Sequence, residues 1–322
     1  MQRRTFCLSA AVALAAPWSH ASEAYPNRPV KVVMPYTAGG GGDVVLRPVT
    51  AKLSTAFNQP VLIEHKPGAA TMIGTEYVAR SKPDGYTLCL VTDSHISNPL
   101  YHKNIPYDAF ADFAPVSQLV SVPLVLVTHP SVPAQSTEEL VAYARKNPGK
   151  LAYASLGLGG PHYMAMEWFK NVAGIDMLDV PYQGTNQLIT AVIGGQVQVA
   201  FAGASTALQH ARQGRMNALA VSTSHRLPMA DHVPTIAEAG YPEYEFMAWH
   251  GILAPAGTPS RIVDLLSAEI GLTMRSSEIS ERLVSIGLIP SPSTPAGFAA
   301  KLRRDEALYQ RLAGITNATQ SE

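Results

Sequence analysis

Cysteine is almost missing from this sequence. Cys7 and Cys89 are the only two in 322 residues, and Cys7 falls in a segment expected to be removed, which leaves one thiol and no internal disulfide. Cys89 sits in the strand-like run 87–92, where a lone buried thiol reads as core before it reads as nucleophile. Charge is scarce as well: 15% of the chain, with 24 Lys and Arg against 24 Asp and Glu. The chain therefore lacks the basic field that nucleic acid or an anionic membrane surface calls for. No apolar run is long enough to span a bilayer. Chemical signatures are missing too. His65, His95, His102, His129, His162, His210, His225, His232 and His250 fall without metal-ligand spacing, and there is no His-Glu-x-x-His or Cys-x-x-Cys. The nucleophile elbow is absent, because Ser155 has Tyr153 where its first glycine would stand. These absences count against hydrolysis, although Ser, His and Asp are numerous enough to build a dispersed triad.

What is present begins with an address. Arg3 and Arg4 precede an apolar stretch, 6–16, and Ser19-His20-Ala21 has the small-x-small pattern of a cleavage site. Residues 1–21 are expected to be a cleaved export signal, and Arg-Arg-Thr-Phe resembles a twin-arginine signal. From Ser22 onward Lys and Arg number 22 against 24 acids, a net of −2. About 300 residues remain, more than one hydrophobic core usually serves, so two domains are expected.

The central stretch is 30–47. Residues 30–34 read as a buried strand, Pro35 stops it, and Gly39 to Gly42 follow before a helical pattern at Val44, Val45, Val49 and Leu53. Pro48 is expected to kink or shorten that helix. A strand that breaks into glycines and re-emerges as a helix presents bare N–H groups that suit an anion, or is simply a flexible turn. It is no Walker loop, since no Gly-Lys-Ser/Thr follows. Strands and helices then alternate: strands at 61–64 and 87–92 with a helix at 74–80 between them, then a second unit from 122–128. Ser136-Thr-Glu-Glu139 is a capping box, and a strand at 151–155 leads to Leu156-Gly-Leu-Gly-Gly160, with Pro161 opening a helix. Strands at 177–181, 196–202, 217–222 and 246–254 follow, with helices from 186, 205, 258 and 294. The α/β pattern predicts two Rossmann-like lobes in a clam-shell, with a ligand cleft at the strands' C-terminal edges. Neutral donors cluster there: Thr37 with Gly39 to Gly42, Ser94, Ser155 with Gly157 to Gly160, and Tyr182-Gln-Gly-Thr185. Each is a plain loop or part of a site. Asp43 is expected to accept backbone N–H bonds and fix its loop, or to meet a ligand ammonium or hydroxyl. His162 is either a donor at a helix start or packing.

Pro35-Tyr-Thr-Ala-Gly-Gly-Gly-Gly-Asp43-Val-Val-Leu-Arg47 resembles the Pro-Phe-x-Pro-Gly-Gly-x-x-Asp-x-x-x-Arg opening of the tripartite tricarboxylate transporter receptors, the Bug family of periplasmic solute-binding proteins. The likeness continues through Lys66-Pro-Gly68, Ile73-Gly-Thr-Glu76, Pro83-Asp-Gly-Tyr-Thr87, Val180-Pro-Tyr-Gln-Gly184, Gly194-Gly-Gln-Val197, Ala218-Leu-Ala-Val221, the stretch 233–240 and the stretch 251–259. It implies a Venus-flytrap receptor in the periplasm that closes on a small carboxylate (a di- or tricarboxylate, or an aromatic carboxylate) and delivers it to membrane permease subunits. No enzyme activity, cofactor, metal or nucleic acid is implied, and the receptor would act as a monomer. The ligand-binding positions it implies are Tyr36, Thr37, Ala38, Gly39, Gly40, Asp43, Ser94, Ser155, Gly159, His162, Tyr182, Gly184 and Thr185. Lobe 1 is expected at 22–121 with 248–322, and lobe 2 at 122–247. Departures from the family pattern are Thr37-Ala38 for a proline-bearing pair, Gln183 for a frequent Lys, Gln187 and Ala191 for Pro and Asp, and Ala202 for a frequent Asp. The changes at Ala202 and Thr37-Ala38 are expected near the cleft and disfavour an amino-bearing ligand. Two other readings stand beside this one: the same fold as a sensor input to a histidine kinase, and an exported serine hydrolase.

Overall fold

A computed structural model describes residues 25–316; the expected signal, 1–21, lies outside the described residues. Its elements are β1 (Val30–Met34), α1 (Gly41–Phe57), β2 (Val61–His65), α2 (Met72–Ala79), β3 (Thr87–Thr92), α3 (Ser94–Tyr101), β4 (Phe113–Thr128), α4 (Thr137–Lys146), β5 (Ala152–Ser155), α5 (Pro161–Ala173), β6 (Leu178–Pro181), α6 (Thr185–Ile193), β7 (Val199–Gly203), α7 (Ala204–Arg212), β8 (Asn217–Val221), β9 (Met247–Pro255), α8 (Ser260–Arg275), α9 (Ser277–Ser285), β10 (Ile289–Pro290) and α10 (Pro295–Thr316). Two short 3-10 turns, Ala69–Thr71 and Pro228–Ala230, join them.

The strands run in the order β2-β1-β3-β9-β4-β7-β5-β6, with β10 and β8 also paired to β4. β1 pairs in parallel with β2 and β3, and β5 in parallel with β6 and β7, as right-handed β-α-β units require. The two parallel groups are joined by antiparallel strands. β4 pairs with β9 from Phe113↔Pro255 to Pro123↔Met247, and its last residues, Leu124 to Thr128, pair with β7 and β8 instead. One 16-residue strand thus serves both lobes. The α/β clam-shell expected from the sequence is the fold observed.

Each lobe has its own core. Val32, Leu46, Leu90, Ile252, Leu266 and Met274 fill one under α1 and α8, and Val125, Leu188, Ala200, Leu208 and Val221 fill another under α6 and α7. A third, aromatic-rich core runs across the joint and includes Tyr153, Phe169, Phe201, Tyr244, Trp249, Phe298 and Tyr309. Pro48 does not end α1, which continues to Phe57 with Val45, Leu46, Val49 and Leu53 buried. That apolar face outweighs the one backbone bond the proline forfeits. The sequence reading missed α3, α9, β10 and the first nine residues of β4. Among the described residues no helix is long and apolar enough to cross a membrane.

At Gly251 the backbone lies against the ring of Phe298, and an added Cβ would overlap it. Trp249 meets the same ring edge-on at 5.5 Å. Gly251→Ala should therefore cost about 2–3 kcal/mol through overpacking, read as a lowered urea midpoint with unchanged slope; an unshifted midpoint would show that α10 moves aside freely.

Candidate functional site

A cleft of about 850 Å³ opens between the two groups of strands. Much of its lining is apolar, including Met34, Leu90, Val122, Leu124, Leu156, Leu158, Ala248, Ile286 and Leu288. Its walls are helix starts. β1, β3, β5, β6 and β7 all run toward it, so the helix after each begins there. The N-caps of α1, α5, α6 and α7 are Gly40, Gly160, Gly184 and Gly203, and none carries a side-chain cap. All four glycines line the cleft. α4, which starts elsewhere, is capped in the ordinary way: Ser136 Oγ accepts from Glu139 N at 3.2 Å. α10 likewise has Thr294 Oγ1 accepting from Gly297 N at 3.1 Å, whereas α8 and α9 start uncapped away from the cleft.

Among the described residues no Lys or Arg lines the cleft, and Asp93 is the one acid that does. Asp93 is fully buried; it accepts from Trp249 N at 3.1 Å and from the Tyr309 hydroxyl. Burial pushes its carboxyl up to about 6, against the pull of those two donors. Burial likewise holds His162 and His250, both lining residues, down to about 4, so both are neutral at pH 7. Tyr36 is pushed up to about 12 and shares a hydrogen bond of 2.6 Å with Thr92 Oγ1. Apart from Asp93, whose carboxylate is turned to Trp249 N and the Tyr309 hydroxyl, the site presents dipoles rather than ions.

Of the residues read from the sequence, Tyr36, Thr37, Gly40, Ser94, His162, Tyr182, Gly184 and Thr185 line the cleft together. Ala38, Gly39, Asp43, Ser155 and Gly159 do not. Ala38 and Gly39 are exposed on the outer turn of the β1–α1 loop. Asp43 is buried beneath that loop, with Oδ2 accepting from Gly39 N at 2.5 Å and Oδ1 facing Arg47 Nη2 at 3.0 Å and His65 Nε2 at 3.5 Å. Ser155 is buried at the end of β5, where its hydroxyl accepts from Gly157 N at 2.9 Å. Gly159 packs against Ser97 and Tyr101 of α3. Gln183 lines the cleft, but Ala202 is fully buried in the second-lobe core, so the lost acid there says nothing direct about the ligand.

The sequence reading missed the segment from Pro67 to Thr71, and Asn98, Gly203 to Thr206, His250 and Ile286 to Leu288. Ala69, Ala70 and Thr71 all have positive φ, at 46°, 49° and 80°. Three consecutive non-glycine residues in that region cost several kcal/mol between them, on the order of 1–2 each, and such strain gathers at functional loops. Asn98 Nδ2 donates to Ala70 O at 2.7 Å and helps hold the segment there. Lys66-Pro67-Gly68 was the signal available for it. Among the described residues no cluster of His, Cys, Asp or Glu could hold a metal ion. The one imidazole–hydroxyl hydrogen bond found among them, His129 Nδ1 to Ser131 Oγ at 2.7 Å, is exposed and away from the cleft.

A two-lobed α/β shell around a cleft lined with backbone donors is the build of a periplasmic solute-binding protein. A family model described as the tripartite tricarboxylate transporter family receptor matches residues 45–307, and this chain belongs to that family. Protein BugT of Bordetella pertussis is 35% identical over 318 residues, 96% of this chain and 94% of that protein. The structure of Rhodopseudomonas palustris Rpa4515 with adipate is similar at a TM-score of 0.86 and 32% identity, covering 91% of this chain and 98% of that one. MatC from Rhodopseudomonas palustris with bound malate is similar at 0.83 and 29%, covering 90% and 100%.

The histidines set a pH dependence. His95, His162 and His250 are all held near 4 in the folded chain, below an unfolded value of about 6.5. The unfolded chain takes up protons that the folded chain refuses, so their contribution is complete above about pH 6.5 and is lost as pH falls toward 4. Asp93 opposes this, since its raised carboxyl contributes most below about pH 4 and loses that as pH rises through 6. Three imidazoles outweigh one carboxyl, so the urea midpoint should fall between pH 7 and pH 5. The double variant H162Q H250Q should lose less over the same interval, and an equal loss would remove these two residues from the account.

Proposed function

We propose that this protein is a periplasmic receptor that captures a small carboxylate by closing its lobes and hands it to membrane permease subunits of a tripartite tricarboxylate-type transporter. The observation that carries the reading is the convergence of four glycine-capped helix starts on a cleft without a cation. Each helix start is worth roughly half a positive charge, or about 0.3–1 kcal/mol toward an anion and up to about 2 when partly buried. A carboxylate seated among several of them gains what an arginine clamp would supply, at lower desolvation cost. The apolar part of the lining suits a hydrocarbon body. Adipate and malate, named with the two similar structures, are both dicarboxylates.

In this reading Thr37, Ser94, Thr185, Tyr36, Tyr182 and His162 supply side-chain donors, Gly40 and Gly184 supply backbone donors, and Ala38, Gly39, Asp43, Ser155 and Gly159 shape the loops. Ligand engages one open lobe and closure buries it against the other. The lobes divide near residues 121 and 248, and the change of β4's partner from β9 to β7 and β8 supports that division. The chain is exported by residues 1–21, acts as a monomer and binds without turnover.

Melting of the Ser22-onward protein against a panel of carboxylates tests this. Binding to the folded state stabilises it by about 2.7 kcal/mol at a hundredfold excess over Kd, a rise of several degrees. A diacid that binds should lose the effect as its diamide and be recovered unchanged. No shift with any carboxylate, after refolding to strip co-purified ligand, would sink the proposal.

A further inference from the structure

Two of the contacts between the lobes lie beside the cleft, and each includes a glycine with positive φ. On one side the Leu156–Gly160 loop of the second lobe meets α3 of the first. Ser97 Oγ donates to Gly159 O at 2.5 Å, and a Cβ on Gly159 (φ +74°) would lie 3.0 Å from Tyr101 Cδ2 and 3.1 Å from Ser97 Oγ. Behind it the Tyr101 hydroxyl donates to Met164 Sδ at 3.0 Å, and Tyr101 meets Tyr163 edge-on at 5.8 Å. On the other side the turn between α9 and β10, which belongs to the first lobe through β10's pairing with Val120 and Ser121, meets the start of α7 in the second. A Cβ on Gly287 (φ +76°) would lie 3.0 Å from Ser205 N, 3.1 Å from Met229 Sδ and 3.5 Å from Ala204 Cβ.

We propose that Gly159 and Gly287 are paired positioning residues: bare-backbone seats that let each lobe settle on the other closely enough for helix starts of both to share one ligand, and so set the shut width of the cleft. The arrangement is reciprocal. The second lobe offers its glycine to α3, whose first residue, Ser94, lines the cleft; the first lobe offers its glycine to α7, whose first three residues line it. A side chain at either seat would wedge the lobes apart by about the thickness of a methyl group. The opposed helix starts would then act on the anion from further away, and dipolar attraction falls off within the first turn. Gly287 is absent from every short motif around the glycine loops, so only the folded chain reveals it.

The inference rests on the receptor reading, and the experiment separates the two. Spin labels at Ala56→Cys on α1 and Lys146→Cys on α4, both exposed positions, report the distance between lobes; Cys89 is buried and stays unlabelled. Gly287→Ala should lengthen the shortest distance in the distribution, the one the shut lobes give, and Ser97→Ala, which removes the hydrogen bond to Gly159, should broaden it. Affinity for adipate and malate, whichever binds the parent protein, should fall about tenfold or more in Gly287→Ala and about two- to tenfold in Ser97→Ala. Gly149→Ala is the control. Gly149 has φ +70° with nothing within 4 Å of an added Cβ, so it carries the same backbone strain without a contact across the cleft. It should lose stability yet keep both distance and affinity. Unchanged distances in Gly287→Ala and Ser97→Ala, or a matching change in Gly149→Ala, would overturn the proposal. If the parent binds neither acid, the distances still decide the seats while the carboxylate reading falls separately.

Discussion

An α-helix leaves its first N–H groups without acceptors inside the helix, and a folded chain has to find partners for them. Here four helices begin on glycine at one cleft, and the chain supplies no side chain to cap them. The topology makes this unavoidable. Strands in a parallel group all end on one edge, each feeds a helix that starts on that edge, and two such edges face one another across β4 and β9. Water satisfies the donors when the cleft is open. An anion that displaces the water satisfies them in surroundings lined in part by leucine, valine and isoleucine, where the lower dielectric strengthens each contact.

Side chains around the cleft consequently spend their polarity on shape. Asp43 holds Gly39 in place, Ser155 holds Gly157, and Asn98 holds the left-handed turn at Ala70. Asp43 lies near a helix start, and Arg47 and His65 lie on its other oxygen. The unusual backbone from Ala69 to Thr71 belongs to the same economy: local strain is tolerated where it presents main-chain groups to the cleft.

Much of this was legible in the sequence because it is local. The glycine runs, Pro161 at a helix start and the capping box at Ser136 each announce their element within a few residues. What stayed hidden depends on distance along the chain. α3 was obscured by Pro99 and by a polar run, Ser94-His95 and Ser97-Asn98, whose burial comes from α10 and the segment near Ala70. Ile286 to Leu288 reach the cleft only because β10 pairs with Val120 and Ser121, about 170 residues earlier. Ala202, where the family pattern often has Asp, was expected near the cleft, yet strand alternation turns it into the core and Gly203 toward the cleft.

The proposed closure has to be taken up somewhere, and the strand pairing narrows where. β4 and β9 are laddered as far as Pro123↔Met247, after which β4 takes β7 and β8 as partners. Pro123 has no N–H to give, so the ladder lacks a donor at its last pair with β9. Above that point Trp249 of β9 meets Phe298 of α10 edge-on, and below it Phe246 stacks near Tyr309 of the same helix at 6.2 Å. α10 therefore rides on both sides of the joint, packing against β4, α3 and α5. A bend confined to a few residues around Pro123 and Met247 would leave both parallel groups rigid and move their helix starts together, which is what a cleft built from backbone donors on opposite lobes requires.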